Sequence, residues 1–164
     1  MWRTGFFASK RDDKTRDMLI TSPAFEDNGM IPNKYTCDGD NINPPLRFIS
    51  VPEAAQSLAL IVDDPDAPSG IWVHWILVNI DSKTAAIQEG VLPPGAKEVI
   101  NSFGNFGYSG PCPPTGTHRY FFRLYALDKK LEAISANSKE EIEQMMSGHI
   151  IAQAELMGQY SRQK

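Results

Sequence analysis

Two of the chain's three histidines stand in matching surroundings. His74 lies at the end of Asp64-Pro65-Asp66-Ala67-Pro68-Ser69-Gly70-Ile71-Trp72-Val73-His74-Trp75. His118 lies at the end of Gly110-Pro111-Cys112-Pro113-Pro114-Thr115-Gly116-Thr117-His118-Arg119-Tyr120. Each follows a loop stiffened by proline, glycine or aspartate, and each opens an aromatic-rich segment. A histidine ring titrates near neutrality and its N–H groups can donate to an anion. At the rim of an apolar pocket such a donor acts more strongly than in water. One histidine on an apolar strand face is ordinarily a satisfied core residue. Two in the same setting point instead to a shared pocket that holds a small anion.

Asp64 and Asp66 flank Pro65. Two readings stand open for them. They are turn residues whose carboxylates accept nearby backbone N–H groups, or one of them orients a histidine or accepts a ligand's ammonium or hydroxyl. Two acids and two imidazoles in one pocket would suit a zwitterionic or phosphate-bearing head group.

Other chemistries use the same residue types. Two histidines and a carboxylate can form a facial metal triad, but the spacing contains no H-x-H, H-E-x-x-H or C-x-x-C element. Ser69 and Ser109 lie in loops without a G-x-S-x-G elbow. Cys112 near His118 is a candidate Cys–His pair. Gly104, Gly107 and Gly110 do not follow a strand-to-helix pattern, so a dinucleotide loop is not indicated. The expectation is a site with no metal, no cofactor and no catalytic nucleophile. Tyr108 and Tyr120 are candidates for the pocket mouth or for sheet packing. Arg119 faces away from His118 and reads as half of an ion pair.

Strands must position these groups. Ser57–Asp63 carries the run Leu-Ala-Leu-Ile-Val, which suits a strand buried on both faces. Ile71–Ile80 alternates, with Trp72, His74, Ile76, Val78 and Ile80 on one face and Val73, Trp75, Leu77 and Asn79 on the other. Arg119–Leu127 alternates as well, with Tyr120, Phe122, Leu124 and Ala126 inward. Clusters rich in Pro, Gly, Asn and Asp separate these runs, and proline cannot donate to a strand ladder. The connection from Asn101 to Thr117 is long for a compact domain, and loops of that kind are usually functional.

Helical signal is confined to a short turn over Lys83–Glu89 and to the C-terminal region. There Ser138 and Glu141 fit a capping box, and Ile142, Met145, Met146, Ile150 and Leu156 recur near helical spacing. Gly158 reads as its stop, and His149 as a structural residue beside the apolar stripe.

The 164 residues suit one domain over 17–164 with a loosely ordered extension over 1–16. A net charge of −4 and the lack of a Lys/Arg run argue against a nucleic-acid partner. No apolar run reaches the about 18 residues of a membrane span, and the N-terminus is too broken by charge to be a secretory signal. The cytoplasm is the default location. Cys37 and Cys112 both lie in turn-rich segments and could meet in space, so reduced thiols and a bridged pair both remain open.

The two long motifs, with Tyr35-Thr36-Cys37-Asp38-Gly39, Asn43-Pro44-Pro45-Leu46 and the closing Ala154-Glu155-Leu156-Met157-Gly158-Gln159-Tyr160, resemble the phosphatidylethanolamine-binding protein family. This is also called the Raf kinase inhibitor protein family, and the likeness is to its bacterial and archaeal branch. The resemblance spans about Leu19 to Arg162. It implies a mainly β fold: a central antiparallel Greek-key sheet, a smaller second sheet and peripheral helices. It implies an anion pocket lined by Asp64, His74 and His118, with Pro68, Gly110 and Tyr120 as neighbours and Asp66 as an orienting residue. By the same resemblance the ligand is a phosphate, a carboxylate or a phosphoethanolamine-like head group, and the protein is a regulatory, non-enzymatic module. The alternatives are a serine protease inhibitor, a kinase-regulating interaction protein, or a small metal-dependent hydrolase. A homodimer is compatible with the bacterial-type resemblance.

Overall fold

The computed structural model describes residues 16–132 and 136–163. The expected N-terminal extension therefore lies, apart from Arg16, outside the described residues. Among those residues nine strands follow in chain order: β1 (Leu19–Thr21), β2 (Gly29–Met30), β3 (Leu46–Ile49), β4 (Ser57–Asp64), β5 (Trp72–Ile80), β6 (Ala86–Ile87), β7 (Lys97–Val99), β8 (His118–Leu127) and β9 (Ile150–Tyr160). A 3-10 turn spans Asn33–Tyr35, and the helix α1 spans Lys139–Met146. No described helix is long and apolar enough to cross a membrane.

The fold is mainly β, as the motifs imply. One sheet has the order β1-β3-β6 and the other the order β2-β9-β8-β4-β5-β7. The larger sheet is antiparallel except at its edge, where β2 runs parallel to β9. Within it, β4, β5 and β7 lie side by side, and β8 returns to the far side of β4. That is a Greek key.

The run Leu-Ala-Leu-Ile-Val makes β4 the central strand, and all eight of its residues are buried. Leu58, Leu60 and Val62 face the smaller sheet and join Ile20, Phe48, Phe122 and Leu156 in the core between sheets. Ala59 and Ile61 face the other way and pack with Val78, Leu127, Ile142 and Met146 of a second core. The molecule thus has three layers: small sheet, large sheet and helix.

Two bulges interrupt β5. Val62 pairs with Trp75 while Asp63 pairs with Val73, so His74 is an extra residue, and a second shift falls between Leu58 and Leu60 opposite Leu77–Ile80. An extra residue shifts every later side chain to the opposite face. The expected single face of β5 is therefore broken. Val73, Ile76 and Val78 enter the helix-side core, and Trp75, Leu77 and Ile80 enter the core between sheets. At the second bulge Asn79 has φ 57°. Its amide donates to the Leu131 carbonyl at 2.6 Å and accepts from the Leu131 N–H at 2.7 Å, replacing a strand partner.

The helix begins where the capping box places it. The Glu141 N–H donates to Ser138 Oγ at 3.2 Å, and Glu141 accepts from the Asn137 N–H at 2.7 Å. It stops at Met146 rather than near Gly158. Gly148, with φ 79°, supplies the left-handed residue just past its end. Ile150 and Leu156 belong to β9, whose even-numbered residues Ala152, Ala154, Leu156, Gly158 and Tyr160 turn inward. His149 sits in the intervening turn, 2.8 Å from Asp128 Oδ1, and not on a helix. The expected turn over 83–89 is confined to its start, because Ala86–Ile87 joins the small sheet.

Buried charge fixes α1 to the sheet. Asp63, almost fully buried, is held by Arg123 of β8 and lies 3.5 Å from Lys139 of α1, which also reaches Glu143 at 2.9 Å. On β9, Gly158 is demanded by close approach. A Cβ there would lie 2.5 Å from Ile31 Cγ1 and 2.8 Å from Phe25 Cε2. Gly158→Ala should therefore overpack the core between sheets and lower unfolding free energy by about 1–3 kcal/mol. The urea midpoint measures this, and an unchanged midpoint would contradict the packing described.

Candidate binding site

β4 ends, and β5 and β8 begin, at one end of the large sheet. Alternation along β4 sends Asp63 to the helix side and Asp64 to the opposite side. On β8, His118 shares the side of Tyr120. The bulge in β5 delivers His74 to the same place, its ring centroid 5.2 Å from that of Tyr120 and 5.3 Å from that of Phe103. A cavity of about 260 Å³ opens there. It is lined by Asp64, Ala67, Pro68, Ser69, Trp72, His74, Phe103, Cys112, Pro113, Pro114, His118 and Tyr120. A larger surface hollow of about 740 Å³ around Asn79 and Lys97 lies at the opposite end of β5 and holds none of these groups.

Asp64 and the two imidazoles each have one side engaged. His118 Nδ1 donates to Asp64 Oδ2 at 2.7 Å, and the Asp66 N–H donates to Asp64 Oδ1 at 2.8 Å. His74 Nδ1 donates to the Ser109 carbonyl at 2.6 Å, because a carbonyl can only accept. Neither Nε2 has a protein partner among the described residues. Burial pushes the His74 ring toward its neutral form, more strongly than the Ser109 contact and the Asp64 charge oppose it. The Tyr120 hydroxyl is buried and nothing accepts its proton. Burial and the nearby carboxylates Asp64 and Asp66 raise its pKa, so it stays a phenol and a donor.

The expected site residues divide. Asp64, His74, His118, Pro68 and Tyr120 come together around the cavity. Asp66 does not line it. Its carboxylate takes the Arg119 main-chain N–H at 3.0 Å, Nε at 2.9 Å and NH2 at 2.8 Å, so it clamps the 64–70 loop to β8. Those Arg119 contacts hold the Asp66 carboxyl down at about 2. Gly110 does not line the cavity either. It lies beneath the loop, where its N–H donates to Asn41 Oδ1 at 2.8 Å and a Cβ would meet the Tyr35 carbonyl and Asn41. Tyr108 is also absent from the lining. Its hydroxyl donates to the Tyr35 carbonyl at 2.8 Å and its ring packs on Trp75.

The two cysteines are bridged. Cys37 and Cys112 are joined with Cα atoms 5.4 Å apart, which removes Cys112 as a partner for His118. The bridge follows from the docking of loop 33–41 on loop 108–112. The Cys37 N–H donates to the Pro111 carbonyl at 3.1 Å, beside the Gly110 and Tyr108 contacts above. The end of β9 buttresses the same loop, with the Tyr160 hydroxyl donating to Asp38 at 2.6 Å.

Several contributors escaped the sequence reading. Asn101 knots the long loop: its Nδ2 donates to the Gly107 carbonyl at 3.0 Å and to Ser109 Oγ at 3.1 Å, while its Oδ1 accepts from the Phe103 and Asn105 N–H groups. That knot sets the Ser109 carbonyl against His74. Trp72 and Phe103, edge to face at 5.5 Å, form an aromatic wall. The Pro/Gly/Asn density of 101–116 marked the loop but not which asparagine organises it. Among the described residues no three His, Cys, Asp or Glu side chains are gathered as for a metal.

The structure is thus a two-sheet fold with a small cavity at the sheet end, walled by aromatics and prolines. The family model described as phosphatidylethanolamine-binding protein matches residues 21–161, and the chain belongs to that family. It is similar to a UPF0098 protein of Methanothermobacter thermautotrophicus, 50% identical over 150 residues that cover 88% of this chain and 99% of that one. A UPF0098 protein of Chlamydia pneumoniae is 47% identical with the same coverage. Among solved structures, a phosphatidylethanolamine-binding protein homolog of Chlamydia trachomatis superposes with TM-score 0.86 at 45% identity, covering 90% of this chain and 99% of that one. E. coli YbcL, described as a new member of the mammalian PEBP family, gives 0.83 at 31% identity with the same coverage.

Two outcomes follow. The bridge closes a separation of 75 residues, so its reduction should cost about 4 kcal/mol on the chain-entropy account. Thermal melting with and without a thiol reductant measures it. Asp66 has a lowered pKa, so its contribution is fully present above the ordinary carboxylate range near 4 and is lost as pH falls toward about 2. Asp66→Asn should flatten that acid limb in urea midpoints taken as a function of pH. An equally steep limb in the variant would remove Asp66 from the account.

Proposed function

We propose that the protein is a non-enzymatic binding module whose cavity holds a small oxyanion, such as a phosphate, a carboxylate or a phosphorylated head group. One observation carries this reading: His74, His118 and the Tyr120 hydroxyl converge on one cavity, and each has a ring nitrogen or hydroxyl proton left without a protein partner. The volume suits a tetrahedral anion with a short substituent. The aromatic and proline walls keep water from competing with the polar groups. Pro68 and Trp72 form part of the wall, and Asp64 fixes the tautomer of His118.

Nothing around the cavity is arranged as an activated nucleophile. Ser69 lines it, but among the described residues its hydroxyl makes no hydrogen bond to either imidazole, and the nearby cysteine sulfur is bridged. A second reading, an interaction protein for a protease or kinase, draws on the apolar side chains of Ile71, Phe103 and Phe106, which stand exposed on the loops that frame the cavity. In that reading the loops make the contact and the cavity tunes it.

Calorimetry with inorganic phosphate and with phosphoethanolamine distinguishes these. Wild type should bind at least one of them, and the His74→Ala/His118→Ala double variant should bind it about 10- to 100-fold more weakly, since each lost charge-assisted hydrogen bond is worth about 1.5 kcal/mol or more. Equal binding by the two proteins would refute the pocket. Inhibition of a serine protease that survives this double substitution would favour the second reading.

A further inference from the structure

The charge inventory of the cavity is unusual for an anion site. Among the described residues no lysine or arginine lines it. The guanidinium of Arg119, next to His118 in sequence, is spent on Asp66 through two side-chain contacts and lies half-exposed outside the cavity. The one permanent charge in the lining is the Asp64 carboxylate, which is negative and buried. An anion brought beside it meets a like charge at low dielectric, and that disfavours binding unless positive charge appears.

Among the described lining residues only the imidazoles can supply that charge, and their geometry says how. His74 Nδ1 is held by the Ser109 carbonyl, so its proton stays there. In the neutral ring Nε2 then carries a lone pair, which accepts hydrogen bonds and repels an oxyanion. The same holds for His118, whose Nδ1 proton is held by Asp64. A neutral His74 therefore presents the wrong polarity to the ligand it is placed to meet.

We propose that the cavity takes up its oxyanion together with a proton, which His74 accepts at Nε2. The Nε2 lone pair forms the new N–H bond. The proton comes from solvent, or from the ligand's own O–H when the anion arrives in its protonated form. The imidazolium then donates Nε2–H to the anion while Nδ1–H stays on Ser109. The His74 imidazolium then sets one positive charge against the Asp64 carboxylate and the ligand, while His118 keeps its Nδ1 contact with Asp64. This inference rests on reading the cavity as an anion site.

The surroundings of His74 agree. From β4 it faces the Asp64 charge, with Asp63 on the strand's other side adding a weaker field of the same sign, and both favour the imidazolium. From β8 it faces His118 and the phenolic Tyr120. The loop over 101–110 offers the Phe103 ring and the Ser109 carbonyl, and the loop over 110–114 offers a bridged cysteine that does not titrate. Asp66 is already neutralised by Arg119. Nothing but burial opposes protonation, and an anion in the cavity reverses that opposition. By linkage the proton strengthens anion binding and the anion strengthens proton binding equally.

Sulfate is the probe, because it carries no titrating proton of its own between about pH 5 and 8, where histidine titrates. Titrations of the full chain in buffers of different ionisation enthalpy should show uptake of about one proton per sulfate near neutrality, and Kd should weaken up to about tenfold per pH unit as pH rises. The chain has only three histidines, so NMR can follow the His74 ring directly, and its titration midpoint should rise when sulfate is bound. Sulfate binding with a pH-independent Kd, no buffer-dependent heat and an unmoved His74 midpoint would overturn the proposal while leaving the anion site intact. Absence of binding by both sulfate and phosphate across that range would instead sink the anion site, and this inference with it.

Discussion

A carboxylate buried at the end of a central strand needs donors, since an uncompensated charge there is costly. Asp64 is that carboxylate, and much of the sheet end is arranged around it. One oxygen takes the Asp66 N–H and so folds the chain back immediately after β4. The other takes His118 Nδ1 and so fixes where β8 begins and which tautomer its histidine adopts. Turned outward by the same fold-back, Asp66 then meets Arg119 and locks the loop from above. One desolvated group thus sets two loop conformations and a ring orientation.

The opposite wall is built by different means. The 101–117 connection has no strand ladder of its own, so its backbone groups are met by the side chains of Asn101 and Asn41 and by isolated main-chain bonds, among them Ser102 N–H to the Val73 carbonyl and Ser109 N–H to the His74 carbonyl. Loop 33–41 supports it from behind, and the end of β9 supports loop 33–41 through Tyr160 and Arg162. The site is therefore braced on both sides, and a ligand there would cost little ordering entropy. Among the described residues the apolar groups near the mouth are the only large ones left exposed around it.

Much of this was legible in the chain. The run over 57–63, the alternation over 119–127 and the Ser138 cap each carry a local signal strong enough to survive folding, and the paired motifs marked Asp64, His74 and His118. The failures have particular causes. β9 was read as helix because its inward positions include Ala152, Ala154 and Gly158, small residues that weaken a period-two pattern, while Ile150 and Leu156 imitate a helical stripe. Gly148 was the available stop signal. The faces of β5 were misassigned because nothing local announces a bulge. The pairing with β4, distant in sequence, creates it. Asp66 and Gly110 belong to the motifs yet serve the loops and not the cavity, a distinction that spacing alone does not draw. The bridge was undecided because Cys37 and Cys112 meet only when two loops dock.

That bridge also changes what a covalent cut can do to the molecule. The segment from Cys37 to Cys112 is a closed ring of chain that contains β3 to β7, with β1 and β2 on one arm and β8, α1 and β9 on the other. β4, inside the ring, is paired with β8, outside it. A protease that nicks the exposed stretch around Phe103 and Phe106 opens the ring without releasing either arm. The nicked protein keeps a single covalent identity, and its two halves stay at each other's effective concentration, poised to close the sheet again.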